Sequence, residues 1–396
     1  MTFTPPPLTT PADEPLRVLF VAHSFPRHED DGAGGFILRL AVALADRGVT
    51  VHALAPSAPG LDSAASLNGI AVTRFRYAPA AWETLAYTGS MIDETRRFGG
   101  LTMLSFILSA RRAIARAARE HGSQIVHAHW WFPSGLAAAS GSPVPLVTTM
   151  HGTDVRVARA SSAARRALRW VLRRSSSATT VSSWLATEVV RMAPGASPVV
   201  APMPAATELF SPLGPRDADL LLFVGRFNAQ KGARHLLDAV ARMREGVRLR
   251  LIGDGPDGDA LHRQAETLGI SGKLEWLPPQ PQRELSHHYR QAGVVVVPSI
   301  EEGLGMVAVE AQLCEAPVVA SASGGLRDVI DDGRTGVLVP PSEPEPLARA
   351  LDSLLAEPAR AAALGQAGRR AALAVFAPDA VAARYAEIYT RAINAR

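Results

Sequence analysis

Two glutamates with seven residues between them, Glu302 and Glu310, stand in the segment Pro298-Ser299-Ile300-Glu301-Glu302-Gly303-Leu304-Gly305-Met306-Val307-Ala308-Val309-Glu310-Ala311. The segment follows an apolar run ending at Val297 and reads as a strand, a glycine loop and a helix start. Gly303 and Gly305 let a ligand approach the backbone, and the N–H groups around Gly305, Met306 and Val307 at a helix N-terminus suit a phosphate. Glu310, one turn into that helix, has the reach to accept hydrogen bonds from the two hydroxyls of a ribose, and Glu302, before the turn, from those of a sugar. The alternative is that the two acids merely decorate a loop and a helix.

A second cluster, Gly225-Arg226-Phe227-Asn228-Ala229-Gln230-Lys231-Gly232, follows the apolar run Leu220 to Val224. Arg226 offers a planar fork for phosphate oxygens and Lys231 a point charge, a pair suited to a departing diphosphate. Without the flanking glycines they would read as solvated loop cations. Near the N-terminus, Gly34 and Gly35 follow the run Leu16 to Ala22 and open a helix, which is either an anion-binding turn or an ordinary tight turn. His151, in His151-Gly152-Thr153-Asp154, follows the run Leu146 to Thr149, where a histidine can donate to a sugar hydroxyl or be a satisfied structural group. His127 and His129 pose the same choice. The histidines lack an acid at a recognisable ligand spacing and do not read as a metal site. Gly253-Asp254-Gly255-Pro256 closes a further strand and could approach a base or a phosphate.

These residues need a scaffold that places strand ends together. Leu16 to Ala22, Val49 to Ala55, Ile125 to His127 and Leu146 to Thr149 read as buried strands, with a helix opening near Phe36 and ending at Arg47-Gly48. The pattern restarts after Pro202, Pro204, Pro212 and Pro215, a stretch with the composition of a linker, and continues with Leu220 to Val224, Arg248 to Ile252, Gly293 to Val297 and Pro317 to Ala320. The expected fold class is α/β: two Rossmann-like, doubly wound parallel sheets with ligands at the carboxyl ends of their strands, facing a cleft. The expected division is a flexible tail over residues 1–15, domains over 16–205 and 206–378, and a last helix over 379–396 crossing back to the first domain.

Composition narrows the classes. The chain has 396 residues, enough for two cores, and Cys314 is its one cysteine, which excludes an intramolecular disulfide and a cysteine-based metal site. No uncharged apolar run is long enough to span a bilayer, and the N-terminal stretch lacks the plan of a signal peptide, so a cytoplasmic setting is expected. The 41 basic residues nearly balance 37 acidic ones, so distribution matters more than the net charge of +4. Between Asp154 and Glu188 there is no acid, and Arg165 to Arg174 interleave with Ala167, Leu168, Val171 and Leu172 at helical spacing. That face is either solvated or a weak dock for anionic lipid at the inner face of the membrane. No aromatic platform accompanies it, which argues against nucleic acid.

Together the segments resemble the retaining GT-B glycosyltransferases of family four, the glycosyl transferases group 1, from about Arg17 to the C-terminus. The likeness rests on Glu302 and Glu310 within Pro-Ser-x-x-Glu-Gly-x-Gly, then on Gly225-Arg226 with Lys231-Gly232, and then on Gly34-Gly35 and His151-Gly152. The resemblance implies a transferase that moves a hexosyl group, with retention, from a nucleotide-diphosphate sugar to a hydroxyl acceptor (a glycan, a lipid-linked or a small molecule). It implies that Glu310 holds the ribose, Arg226 and Lys231 the diphosphate, and Glu302 the transferred sugar. Gly305, Met306 and Val307 then face phosphate or sugar, Gly35 approaches the diphosphate, and His151 reaches the sugar. Two departures from the pattern are Cys314-Glu315-Ala316 before Pro317-Val318-Val319, where glycine is common, and the run Pro202 to Pro212. Asp257-Gly258-Asp259 has the form of a metal-binding acid pair, yet it precedes a helical stretch whose start its acids would cap, so no metal cofactor is expected. Two rivals are a nucleotide-sugar epimerase of similar architecture and a non-catalytic nucleotide-sugar-binding protein. A NAD-dependent dehydrogenase is disfavoured, because no Gly-x-Gly-x-x-Gly follows Ala22.

Overall fold

In the computed structural model, which describes residues 15–29, 31–87 and 100–395, the chain divides into two compact units. One comprises the chain up to Pro204 together with Pro378 onward, the other Ala205–Ala377. The stretch expected to be an N-terminal tail lies outside the described residues, apart from Pro15.

The first unit holds strands β1 (Arg17–Ala22), β2 (Thr50–Pro56), β3 (Ala64–Leu67), β4 (Ile70–Phe75), β5 (Ile125–His129), β6 (Leu146–Met150), β7 (Ser177–Thr180) and β8 (Val199–Val200). They form one sheet in the order β3-β4-β2-β1-β5-β6-β7-β8. All pairs are parallel except β3 with β4, a hairpin turned by Asn68 and Gly69, both with positive φ, as a tight hairpin of the right twist requires. Its helices are α1 (Gly35–Ala45), α2 (Gly100–Glu120), α3 (Leu136–Gly141), α4 (Thr153–Ala160), α5 (Ser162–Arg174) and α6 (Ser183–Met192). The five residues of β5 and of β6 are all buried, as expected of parallel strands covered on both faces.

The second unit has an all-parallel sheet in the order β11-β10-β9-β12-β13-β14. Its strands are β9 (Asp217–Val224), β10 (Arg248–Ile252), β11 (Leu274–Leu277), β12 (Ala292–Val297), β13 (Val318–Ser321) and β14 (Val337–Val339). The helices are α7 (Ala233–Val240), α8 (Gly258–Thr267), α9 (Gln282–Gln291), α10 (Met306–Leu313), α11 (Leu326–Val329), α12 (Pro344–Ala356) and α13 (Pro358–Phe376). Alternate residues of the central strands, such as Leu221 and Phe223, Leu249 and Leu251, and Val294 and Val296, share one core with Leu236 and Leu237 of α7 and Leu347 and Leu351 of α12. Burial of that size is what makes a six-stranded parallel sheet persist.

The last helix, α14 (Pro378–Asn394), belongs to the first unit. Its Tyr389 hydroxyl lies 2.8 Å from His127 Nδ1, and its Tyr385 hydroxyl donates to the Ala201 carbonyl at 3.1 Å. Both tyrosines are fully buried, so their polar tips need these partners.

Three expectations change. The proline-rich stretch is not a solvated linker at its start. Ala201 to Ala206 are all buried, with the Ala201 amide donating to Thr180 and the Ala205 amide to Phe376. The strand at Ile125 runs on to His129, which places His127 and His129 on a strand, two residues apart and facing the same way. The third is the basic helix α5: Leu168, Val171 and Leu172 are buried in the first unit, so its apolar face is already occupied, while Arg166, Arg169, Arg173 and Arg174 are exposed.

Candidate functional site

In the second unit, β9 and β12 are neighbours, so the loops at their carboxyl ends lie side by side. Gly232 ends the first of these loops with φ 69°, and a Cβ there would sit 2.0 Å from the Pro298 carbonyl oxygen of the second. The Ile300 amide donates to the Gln230 carbonyl at 2.8 Å, and Asn228 Oδ1 accepts from the Lys231 amide at 3.1 Å. Close approach therefore depends on glycine at position 232. The result is that Lys231 Nζ lies 2.6 Å from Glu302 Oε2, which also accepts from Ser299 Oγ at 3.0 Å.

A third loop fixes Glu302 from behind. At Gly324, after β13, φ is 54° and a Cβ would meet the Glu302 carbonyl oxygen at 2.0 Å. The Gly325 amide donates to that carbonyl at 2.9 Å, and Ser323 Oγ donates to the Ile300 carbonyl at 2.6 Å. Gly305 is the N-cap of α10 with φ 100°, and no side chain caps the helix. The amides of Met306 and Val307 thus begin a helix with the usual absence of intrahelical acceptors, next to a positive dipole end.

Glu310 sits in α10 and is 6% exposed. Its Oε1 accepts from Gln282 Nε2 and its Oε2 from the Tyr289 hydroxyl, each at 2.9 Å. Gln282 and Tyr289 are two turns apart on α9, hence on one face. Burial, and then the adjoining carboxylate, push the Tyr289 phenol well above its ordinary range, so it stays a donor. These two donors, one to each oxygen, fix the plane of the carboxylate. Arg226 is exposed and makes no side-chain hydrogen bond or ion pair among the described residues.

In the first unit, Gly34 caps α1 with φ 78°, and a Cβ there would stand 2.2 Å from the Ser24 carbonyl oxygen, so the turn requires glycine. Gly35 is the first helical residue, and a Cβ on it would meet nothing within 4 Å. Phe36, the next residue, has its ring 5.2 Å from that of His151, which links this turn to the loop after β6. His151 Nε2 lies 3.2 Å from His129 Nδ1, and its ring centroid is 4.6 Å from Trp130. Trp130 has φ 65°, an uncommon conformation for a bulky residue, which its contacts with His23 and His151 maintain. Burial lowers the His151 pKa to about 3, so the ring is neutral. His127 is a satisfied core histidine, bonded to Tyr389 and to Thr149 Oγ1 at 2.7 Å.

Asp154 shapes the His151 loop. Its Oδ1 accepts from the amides of His151, Gly152 and Val155, and its Oδ2 from that of Trp131. Sequence reasoning quoted Asp154 without giving it a role, and it did not single out Tyr289, Gln282 or Ser299. A signal existed for Asp154 alone: an acid two residues beyond a glycine at a helix start. The expected capping by Asp257 is corrected. Asp257 occupies the N-cap of α8, but at φ −90°, ψ 0° rather than in the extended region a capping side chain needs, and it makes no cap bond. Asp259 lies in the first turn, where an acid suits the helix dipole. Among the described residues there is no group of three or more His, Cys, Asp or Glu that could hold a metal ion, and no helix is long and apolar enough to cross a membrane.

Comparisons with known proteins agree in kind. Residues 206–371 match the family model of glycosyl transferases group 1, and residues 31–202 that of glycosyltransferase family 4. A D-inositol 3-phosphate glycosyltransferase of Kineococcus radiotolerans is 32% identical over 417 residues, covering 92% of each chain. Another, of Streptosporangium roseum, is 44% identical over 191 residues, which span 45% of this chain and 44% of that protein. Among solved structures, sucrose-phosphate synthase of Thermosynechococcus elongatus superposes with TM-score 0.79 at 23% identity, covering 96% of this chain and all of that one. Anabaena HepE, in complex with UDP and glucose, gives 0.72 at 19%, covering 95% and 99%. At such identities the two structures establish a common GT-B fold.

Proposed function

This chain belongs to the glycosyl transferases group 1, and from that premise we propose that it moves a hexosyl group, with retention, from a nucleotide-diphosphate sugar to a hydroxyl acceptor. The observation that carries the reading is the pair Lys231–Glu302 at 2.6 Å, on knitted loops beside the start of α10. A diphosphate placed at that helix start meets the amides of Met306 and Val307 and the charges of Arg226 and Lys231, which stabilise the negative charge that grows as it leaves. Glu302, released from Lys231 when the phosphate takes that cation, turns to the sugar hydroxyls. Glu310 holds the ribose. In the first unit, Gly34 makes the turn and Gly35 leaves room for a ligand at the start of α1, and the neutral ring of His151 exchanges a hydrogen bond with a sugar hydroxyl.

Retention requires no protein nucleophile here. The acceptor hydroxyl attacks on the face from which the diphosphate departs, and a phosphate oxygen takes its proton. The UDP and UDP-glucose in the HepE complexes make uridine donors the first to test, and the name of the Kineococcus relative makes a phosphorylated cyclitol the first acceptor. The experiment is a nucleotide-release assay over UDP-, GDP- and ADP-sugars with a panel of hydroxyl acceptors, followed by NMR of the product's anomeric proton. Acceptor-dependent release with the donor's anomeric configuration supports the reading. An inverted product, or interconversion of donor sugars with no acceptor, overturns it.

A further inference from the structure

An ordinary surface helix has one apolar stripe, turned to the core. Helix α2 has two. Met103, Phe106, Ala110 and Ile114 are buried against the first sheet, while on the opposite side Leu101, Leu104 and Leu108 are 80%, 54% and 39% exposed. These leucines stand at i, i+3 and i+7, so they form one continuous strip. The strip continues toward the C-terminus through Arg111 and Arg112, both exposed, and no acid occurs in the helix before Glu120. Trp82, after β4, is 67% exposed, and nearby Tyr77 is tied to the helix, its carbonyl accepting from Ser105 Oγ at 2.6 Å. Exposed leucines at successive turns, continued by arginines, match the composition of a helix lying in the headgroup region of an anionic bilayer. The contrast with α5 is direct, since α5 has more arginines but its leucines are spent on the core.

We propose that the exposed face of α2 docks the protein on an anionic phospholipid surface, with Leu101, Leu104 and Leu108 inserted and Arg111 and Arg112 among the headgroups. The topology gives this surface a consequence. Helix α2 connects β4 to β5, both parallel to the body of the sheet, so it runs antiparallel to them and its leucine half lies at their carboxyl edge. Gly34, Gly35 and His151 sit at that same edge, being where α1 and the loop after β6 begin. Docking through the leucines therefore brings the reactive edge of the first unit to the membrane surface, whatever the donor proves to be.

The test uses the full chain in flotation with phosphatidylcholine vesicles, with and without phosphatidylglycerol, at low and high salt. Wild-type protein is expected to bind only the anionic vesicles and to be released by salt. Leu101→Gln with Leu104→Gln and Leu108→Gln should weaken binding at least about tenfold with only a small fall in melting temperature, since Leu101 and Leu104 are mostly exposed and Leu108 alone is more than half covered. Arg111→Gln with Arg112→Gln should remove the preference for phosphatidylglycerol, whereas Arg165→Gln with Arg166→Gln on α5 should change binding by less than about twofold. Absence of wild-type binding, or a triple leucine variant that binds as well as wild type, overturns the proposal. So does a concentration-dependent dimer that the leucine changes abolish without any effect on vesicles, which would assign the face to a second copy of the chain.

Discussion

The two units present different chemistry at comparable places, the carboxyl ends of their parallel strands. The second unit gathers charge: Lys231 against Glu302, Glu310 between two neutral donors, and Arg226 exposed to solvent. The first gathers neutral rings, with His151 and His129 in contact among Phe36, Trp130 and Phe20. Charge arranged on glycine-tight loops is suited to a group whose charge changes during reaction. Neutral rings in a buried, aromatic setting are suited to orienting hydroxyls. On the proposed function a division of labour is expected, with chemistry depending most on the second unit and orientation on the first.

The largest effect that would sharpen or break this division is at Lys231. Lys231→Ala is expected to lower kcat by roughly 10²–10³ with a smaller change in KM, because its charge counts most when the diphosphate is leaving. His151→Ala should cost less, roughly tenfold in kcat/KM, as loss of one neutral hydrogen bond would. Steady-state kinetics on both variants decides. Equal losses would dissolve the contrast, and a pure KM effect at Lys231 would remove leaving-group stabilisation.

Next in size is ribose recognition. Glu310→Ala should weaken nucleotide binding by roughly 10- to 150-fold, the worth of charge-assisted hydrogen bonds. Tyr289→Phe keeps the carboxylate and removes only the donor that orients it, so about a fivefold loss is expected, together with reduced discrimination against 3′-deoxynucleotide. Calorimetry with both nucleotides separates the roles. A Tyr289→Phe protein that weakens both nucleotides equally would make Tyr289 a packing residue.

How far the sequence announced these sites depends on where the partners come from. Glu302 and Glu310 are held on one strand–loop–helix, and the second unit's loops carry their own glycines, so motif and spacing were enough to single them out as candidates. Tyr289 and Gln282 reach Glu310 from α9, 21 and 28 residues away, and no local pattern announces that contact. The same holds for His127, whose buried partner Tyr389 is 262 residues distant. Other features were legible and went unread. Asn68-Gly69 between two apolar runs is a strong hairpin signal, and Met103, Phe106, Ala110 and Ile114 have helical spacing. Composition misled at Ala201 to Ala206, where prolines and alanines run through a buried path; burial of a chain segment is decided by neighbours from elsewhere.

A smaller effect distinguishes the units by pH. Burial lowers the pKa of His127 to about 3 and that of His129 well below 6.5, both in the first unit. An unfolded chain binds protons at these sites that the folded one refuses, so stability falls as pH drops below about 6.5 and is lost progressively toward the folded values. Asp154 has the opposite sign: burial raises it to about 6, so its protonation favours the folded state in acid. His23 and His52, each lowered to about 4, and His151, lowered to about 3, act in the same direction as His127 and His129, so five buried histidines against one aspartate leave a net loss of stability between about pH 7.5 and about pH 5.5. Trp82, Trp130, Trp131, Trp170 and Trp184 lie in the first unit and Trp276 alone in the second, so tryptophan fluorescence in urea reports mainly the first. The midpoint should fall between those two pH values. An unchanged midpoint would mean that these histidines are not buried as neutral groups.

The smallest expected effect is none at all, and it concerns metal. If the cations and amides of the second unit supply the positive potential at the diphosphate, a divalent ion is redundant, and turnover should survive exhaustive EDTA treatment. Asp257 and Asp259 are the acids whose spacing makes the contrary case. Asp259 lies in the first turn of α8, and Asp257 at its N-cap is anchored through its own backbone, the amide donating to the Phe227 carbonyl at 3.0 Å and the carbonyl accepting from Leu261 at 2.9 Å. The Asp259 carboxylate is therefore accounted for by the helix start, where the dipole favours it, while that of Asp257 makes no cap bond. Asp257→Asn with Asp259→Asn should leave kcat within about twofold and cost at most a few tenths of a kcal/mol of stability through the lost dipole interaction. The measurement is turnover after chelation, with and without added Mg²⁺ or Mn²⁺, in wild type and in the double variant. Activity that vanishes on chelation, returns with the ion and is absent from the variant would move leaving-group stabilisation from Arg226 and Lys231 to a bound metal, and the contrast between a charged unit and a neutral one would have to be redrawn around it.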